Sequence, residues 1–449
     1  MLIIILIFML LVLFYVSYIS CDKDIMAPSV IFIAPFILAV ICAAVYSNQW
    51  YLDLSIKTFL SILFGSITYV YISLLTHLLF KKKIKVIDDS YKFSNSIIIV
   101  SNIKVVITII FQVLSLFFVI KSMRSSLSLI GVTGNLSTIM YSFRYYSMFS
   151  DKGISLSGIA TNMRIISIGL TYIWIYILIN NKLLKYKNRF NELLLFISII
   201  LGILNSIILG ARGEALQLLT AIIVIYFCLR RRNNSFKADL KFSQIFKLCL
   251  LMIVVLMSFK SFGTFLGRDS VITVKASPID EVAKYLGAEI KNLDIVLNQS
   301  MNKPRIFGEQ TFSVLWNWLN SSFDMNISVP NILIFRKVNG ISLGNVYTLY
   351  YPLIYDFGYL GMIIAIAFVA FVIQLFYENM YLETKMRIIN YKIIVYSYIM
   401  FLLFFSFFGE KIFSSLLNFT FYKYLIVWYL MTKFVKNNFF IINIRRKRG

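Results

Sequence analysis

Two charged residues, Arg212 and Glu214, interrupt the apolar run "NSIILGARGEALQLLTAIIV". A guanidinium keeps its charge in a low-dielectric pocket, and its planar fork of donors can grip two phosphate oxygens at once. Gly210 and Gly213 flank it and let the backbone turn, aiming the side chain between two helices. An arginine so placed is either an interfacial anchor whose head reaches water or part of an anion site. Arg144 in "MYSFRYYSMFS" and Arg164 in "GIATNMRIISIGL" extend the second reading, with Arg164 the deeper of the two. Arg268 in "LGRDS" stands beside Asp269 and reads more readily as half of a surface pair.

A second constellation follows in "NVYTLYYPLIYDFG". Tyr347, Tyr350, Tyr351 and Tyr355, with Pro352, make a rigid aromatic strip of the kind found at membrane edges. Asp356 comes just before Gly358, where a carboxylate either satisfies a helix N-terminus or orients and deprotonates a hydroxyl. The letters DFG have no kinase context: no glycine-rich loop and no HRD segment accompany them. Glu410 and Lys411 form a further pair, read first as a surface ion pair. No DxD pair or His/Cys cluster stands among these segments, so neither metal nor cofactor is expected.

The elements that must hold these groups are membrane spans. The chain has 449 residues, 59% hydrophobic and only 14% charged, against about 25% charged in soluble domains. A bilayer core takes about 20 apolar residues per helix, and about eleven such runs emerge. They lie near 2–20, 27–47, 58–80, 98–120, 158–180, 191–209, 213–229, 244–262, 357–377, 391–408 and 416–435. The first run lacks a basic leader and a small-residue cleavage site, so it is read as a span. The expected fold is an all-α polytopic membrane protein. It divides into an N-terminal bundle over 1–262, an extracytoplasmic loop over 263–356, and C-terminal helices with a basic tail over 357–449.

A net charge of +24 would suit nucleic acid, but the basic residues fall in alternate loops. Lys81–Lys83 and Lys85, then Lys182–Arg189, Arg230–Arg232, Lys385 with Arg387, and Arg445–Arg448 all become cytoplasmic together. The partner is therefore membrane lipid, with the N-terminus outside and the C-terminus inside. The outer face then holds 121–157, the turn at 210–213, the large loop and 407–415. Within the large loop, Val282, Leu286, Ile290, Leu293 and Leu297 recur at helical spacing, and the segment is expected to cap the outer ends of the spans. The four cysteines lie in or beside spans, so no extracytoplasmic disulfide framework is available.

The stretches "LGARGEALQLL", "KYLGAEIKNLDIVL" and "GNVYTLYYPLIYDFGYLGMIIA" resemble the oligosaccharide repeat unit polymerases, the Wzy-type O-antigen and capsule polymerase family. That resemblance implies a GT-C-like glycosyltransferase architecture in the bacterial cytoplasmic membrane. It implies transfer of a growing glycan from its undecaprenyl diphosphate carrier to a lipid-linked repeat unit at the outer face, without a metal. A chain-length regulator and a flippase are the implied protein partners. On this reading Arg212 and Asp356 are catalytic, Arg144, Arg164 and Arg268 meet diphosphate, and Tyr347 and Tyr351 meet sugar rings. Two rivals differ in what they require. An O-antigen ligase resembles this layout but is expected to use an outer-side histidine, whereas the only histidine, His77, lies at the cytoplasmic end of the third run, beside the lysines. A flippase for lipid-linked oligosaccharide is expected to have pseudo-repeated halves and loops of even size.

Overall fold

The computed structural model describes residues 1–88, 96–150, 153–233, 278–299, 301, 303–325, 327, 329, 333–381 and 389–436. Among them the chain is mostly helical: α1 (Leu2–Ser20), α2 (Pro28–Val45), α3 (Ile56–Asp88), α4 (Asn102–Ser128), α5 (Leu136–Met148), α6 (Gly158–Leu183), α7 (Arg189–Ile207) and α8 (Gly213–Asn233). Then come α9 (Pro278–Asn298), α10 (Ser313–Phe323), an antiparallel hairpin of β1 (Arg336–Val338) and β2 (Ile341–Gly344), α11 (Tyr350–Tyr381), α12 (Tyr391–Phe404), α13 (Ile412–Leu416) and α14 (Phe419–Lys436). Eight of these, α1 to α4, α6 to α8 and α11, are long and apolar enough to cross a membrane. The protein is a multi-pass helical membrane protein, as its composition implies. The run at 244–262 and Arg268 lie outside the described residues.

Side-chain ties sort the helix ends into two sets. At one end Arg231 pairs with Asp24 at 3.2 Å, His77 with Glu378 at 2.7 Å, and the Lys104 ammonium donates to the Phe434 carbonyl at 2.7 Å. Asn181 holds Ile98 through both its amide and its carbonyl. At the other end Asp294 accepts from Ser55 and Thr58, the Leu349 amide donates to the Ser406 carbonyl, and Lys423 reaches Asn162. Successive long helices therefore alternate in direction. Lys182 to Arg189 and Arg230 to Arg232 share the first, basic end.

Several boundaries move for identifiable reasons. Residues 121–128 continue α4, and α5 occupies much of what the sequence suggests is a loop. Gly358, at φ 68°, breaks α11, so a short helical piece carrying Tyr350 to Phe357 precedes the apolar run; the loop expected over 263–356 thus ends in helix. Gly65 on α3 makes room for Tyr350: a methyl there would stand 2.3 Å from its ring. Tyr350 is fully buried with its hydroxyl on Ser66, so it belongs to the core and not to an exposed strip.

Helix α9 packs on the ends of α2 and α3 and on the turn between them. The fit is close: a methyl on Gly287 would fall 2.9 Å from the Ala43 amide. Tyr46 donates to Asp280, Lys291 to the Tyr51 carbonyl and Lys57 to the Leu297 carbonyl, fixing it along its length.

Candidate substrate site at the capped end

The turn between α7 and α8 carries the opening arginine. Helix α7 ends at Ile207, Gly210 takes φ 70°, and α8 starts at Gly213 with the Leu216 amide donating back to the Arg212 carbonyl. Arg212 is half-buried there. Helix α5 lies on this turn: a methyl on Gly210 would meet the Met140 carbonyl at 3.2 Å and the Arg144 side chain at 3.5 Å. Two of the expected phosphate ligands, Arg144 and Arg212, are thus brought to one turn, 68 residues apart in sequence but adjacent in space.

Arg164 is placed differently from the expectation that it serves as a ligand. Its guanidinium is buried, pairs with Glu214, and donates to the carbonyls of Asn205 at 3.0 Å and Ser206 at 3.5 Å. Asn205 is itself held by Ser115. Arg164 therefore clamps α6 to both sides of the turn that presents Arg212. This also gives Glu214 a role: it neutralises a cation that would otherwise be unpaired inside the bundle.

The tyrosines form a ladder beside a loop that sequence reasoning missed. Tyr347 donates to the Ile334 carbonyl at 2.7 Å and accepts from Arg336 at 3.1 Å, and its ring packs on Tyr351 with centroids 4.9 Å apart. Tyr351 accepts from Gln310 and packs toward Tyr355, whose hydroxyl reaches Glu309. Burial alone would raise the Glu309 carboxyl, but the Arg305 amide and guanidinium outweigh it and hold the group below the usual carboxylate range. The Asp356 carboxylate accepts the amides of Gln310 at 3.1 Å and Thr311 at 2.6 Å. It ties this loop to α11. The only sequence signal was "PRIFGEQTF", a glycine between charged and amide residues.

The two halves touch through Phe149, just past α5, whose ring lies 6.3 Å from that of Phe335. Phe335 precedes Arg336, and Arg336 holds Tyr347. Among the described residues Glu410 is not in a surface ion pair: its carboxylate caps α13 through the Phe413 and Ser414 amides, and the Phe413 ring lies 5.8 Å from that of Phe312 beside the tyrosine half.

Glu289 was not singled out by its pattern. It is fully buried on α9, and neither carboxyl oxygen has a hydrogen-bond partner in any other described residue. One turn on, Asn292 donates to the Leu343 and Val346 carbonyls that precede Tyr347. Burial pushes the Glu289 carboxyl well above its ordinary value, so the folded chain binds this proton more tightly than the unfolded chain does. Stability contributed here falls as pH rises out of the ordinary carboxylate range. Glu289→Met should flatten that slope and raise stability by about 1–3 kcal/mol near neutral pH, the scale of one unsatisfied buried group. Thermal unfolding of both proteins in detergent across about pH 4 to 8 checks it; an unchanged slope would show that Glu289 does not titrate with folding.

Fold and site together define a multi-pass helical membrane protein with a cationic and aromatic surface gathered at one end of its bundle. No family model matches the chain, and no curated protein or solved structure matches it.

Proposed function

We propose that the protein is a polysaccharide polymerase of the bacterial cytoplasmic membrane, working at its outer face with the capped end outside and the C-terminus in the cytoplasm. It transfers a growing glycan from an undecaprenyl diphosphate carrier to a lipid-linked repeat unit. The observation that carries this reading is the convergence of Arg144 and Arg212 on one turn, with the Tyr347–Tyr351–Tyr355 ladder joined to it through Phe149 and Phe335. When the acceptor hydroxyl attacks the anomeric carbon, the bond to diphosphate breaks and charge collects on the leaving group. Fixed guanidinium groups stabilise that charge without reorganising.

Arg212 and Arg144 take the diphosphate in this mechanism, and Arg164 is a positioning residue. Asp356 is one too, because its oxygens already accept backbone amides. It sets Gln310 against Tyr351 on the acceptor side. The ligase alternative is disfavoured by His77, which is buried against Glu378 at the basic end. That same buried set, with Asp24 and Arg231 close to Tyr377, is the one feature that favours a flippase coupled to ion movement.

One experiment separates the readings. Purified protein in detergent, supplied with an undecaprenyl-diphosphate-linked repeat unit, should yield products of two and more repeats, and should continue to do so in EDTA. A flippase has no leaflets to work between in a micelle and gives no product. Loss of product in EDTA with recovery on adding a divalent ion would overturn the metal-free mechanism alone.

A further inference from the structure

Helix α10, "SVLWNWLNSSF", carries no charged residue, and none of its 11 residues is fully buried. An exposed cap helix in water would not have this composition. Trp318 is 38% exposed and Phe323 67%, while Phe307, before the helix, is 72% exposed. The Trp316 indole donates to the Phe307 carbonyl at 3.0 Å, so its polar edge is satisfied within the segment. Charge resumes only outside the helix, at Glu309 and Asp324.

What α10 adjoins identifies its partner. The Trp318 ring packs on Phe419 with centroids 4.7 Å apart. Phe419 opens α14, where Phe419, Tyr422, Ile426, Tyr429 and Leu430 recur at the spacing of one helical face and are all exposed large hydrophobics. That face is apolar apart from Lys423, and it adjoins α10 through the Trp318–Phe419 contact. On its other side the segment meets the break in α11: Phe307 and Phe312 both pack on Phe357, one residue before Gly358.

We propose that α10 lies in the plane of the membrane interface at the capped end, with its tryptophans among the lipid headgroups and upper acyl chains. Uncharged helices with paired tryptophans partition to this boundary, where an aromatic body and a polar edge are both accommodated. The bilayer thereby holds the 307–323 segment on one side while α9 is held by α2 and α3 on the other. The loop carrying Glu309 and Gln310 is set at a fixed depth relative to the lipid surface. This inference does not depend on the polymerase reading.

The tryptophans supply the test. Trp50, Trp174 and Trp428 are at most 1% exposed, which leaves Trp316 and Trp318 as the residues able to meet an external quencher. The full chain is reconstituted in phosphatidylcholine–phosphatidylglycerol vesicles containing lipids brominated near the top of the acyl chain, and fluorescence is compared with unbrominated vesicles. Bromolipid should quench a substantial fraction of the emission, and aqueous iodide should quench little of it. The Trp316→Phe/Trp318→Phe protein should lose the bromolipid-sensitive fraction. Quenching of the wild type by iodide and not by bromolipid would place α10 in water and overturn the proposal. Access to neither quencher, as when a second protein surface covers the helix, overturns it as well. Because the wild-type measurement stands alone, a double variant that failed to fold would not leave the question open.

Discussion

On the proposed polymerase mechanism, Arg212→Lys is expected to slow chain extension about a hundredfold while the protein reaches the membrane in normal amount. Lysine keeps the charge but offers a point cation on a flexible stem, whereas the arginine fork can hold two oxygens of one diphosphate in fixed geometry. Losing one such preorganised contact costs about 2–3 kcal/mol of transition-state stabilisation, which converts to that change in rate. The site's construction makes the substitution informative. Gly210 at φ 70° and the Arg164 clamp both hold the turn, so the backbone should survive the change. The measurement is the length distribution of exported glycan in cells lacking the native gene, with Arg212→Ala beside it. An interfacial anchor would tolerate lysine, so long chains from Arg212→Lys would sink the bidentate mechanism. Long chains from Arg212→Ala would remove this residue from the site.

Glu214→Gln should produce the largest loss of stability of any change near the site. Arg164 is only 8% exposed at its side chain and Glu214 29%, so removing the acid strands a cation inside the bundle. Breaking a buried pair from one side costs about 3–5 kcal/mol, and the partial exposure of Glu214 brings the expectation to about 2–3 kcal/mol. Removing both charges, as in Arg164→Met/Glu214→Leu, should restore much of this, because no unpaired ion remains. Thermal unfolding in detergent reads all three proteins. If Glu214→Gln unfolds at the wild-type temperature, the pair does not hold α6 to the α7–α8 turn.

The sequence announces the helices far better than it announces their contacts. Lipid forces every backbone polar group to pair within its own segment, so a long apolar run has little choice but helix. Hence ten of the runs marked by composition appear as helices in the described residues. Arg164 and Glu214 illustrate what was hidden. They are 50 residues apart, and whether an arginine faces a ligand or an acid depends on how α6 meets a turn built by two other helices. Asp356 is opaque for another reason: its partners are backbone amides, which leave no trace in side-chain pattern. Glu289 escaped notice because an amphipathic reading grants α9 a wet face. Packing against α2 on one side and β2 on another takes that face away.

The ties at the basic end also bear on how the chain is made. Asp24 lies in the turn between α1 and α2 and His77 on α3, yet their partners Arg231, Tyr377 and Glu378 are translated hundreds of residues later. Helices α4, α6, α7 and α8 can come together as a group, since each packs on near neighbours in sequence. The early helices instead enter the bilayer carrying acid and imidazole groups that wait for α8 and α11 to emerge from the ribosome. Biogenesis of this protein thus includes an interval in which Asp24 and His77 have only their early partners, the Met26 amide and Asp22, and lack Arg231, Tyr377 and Glu378.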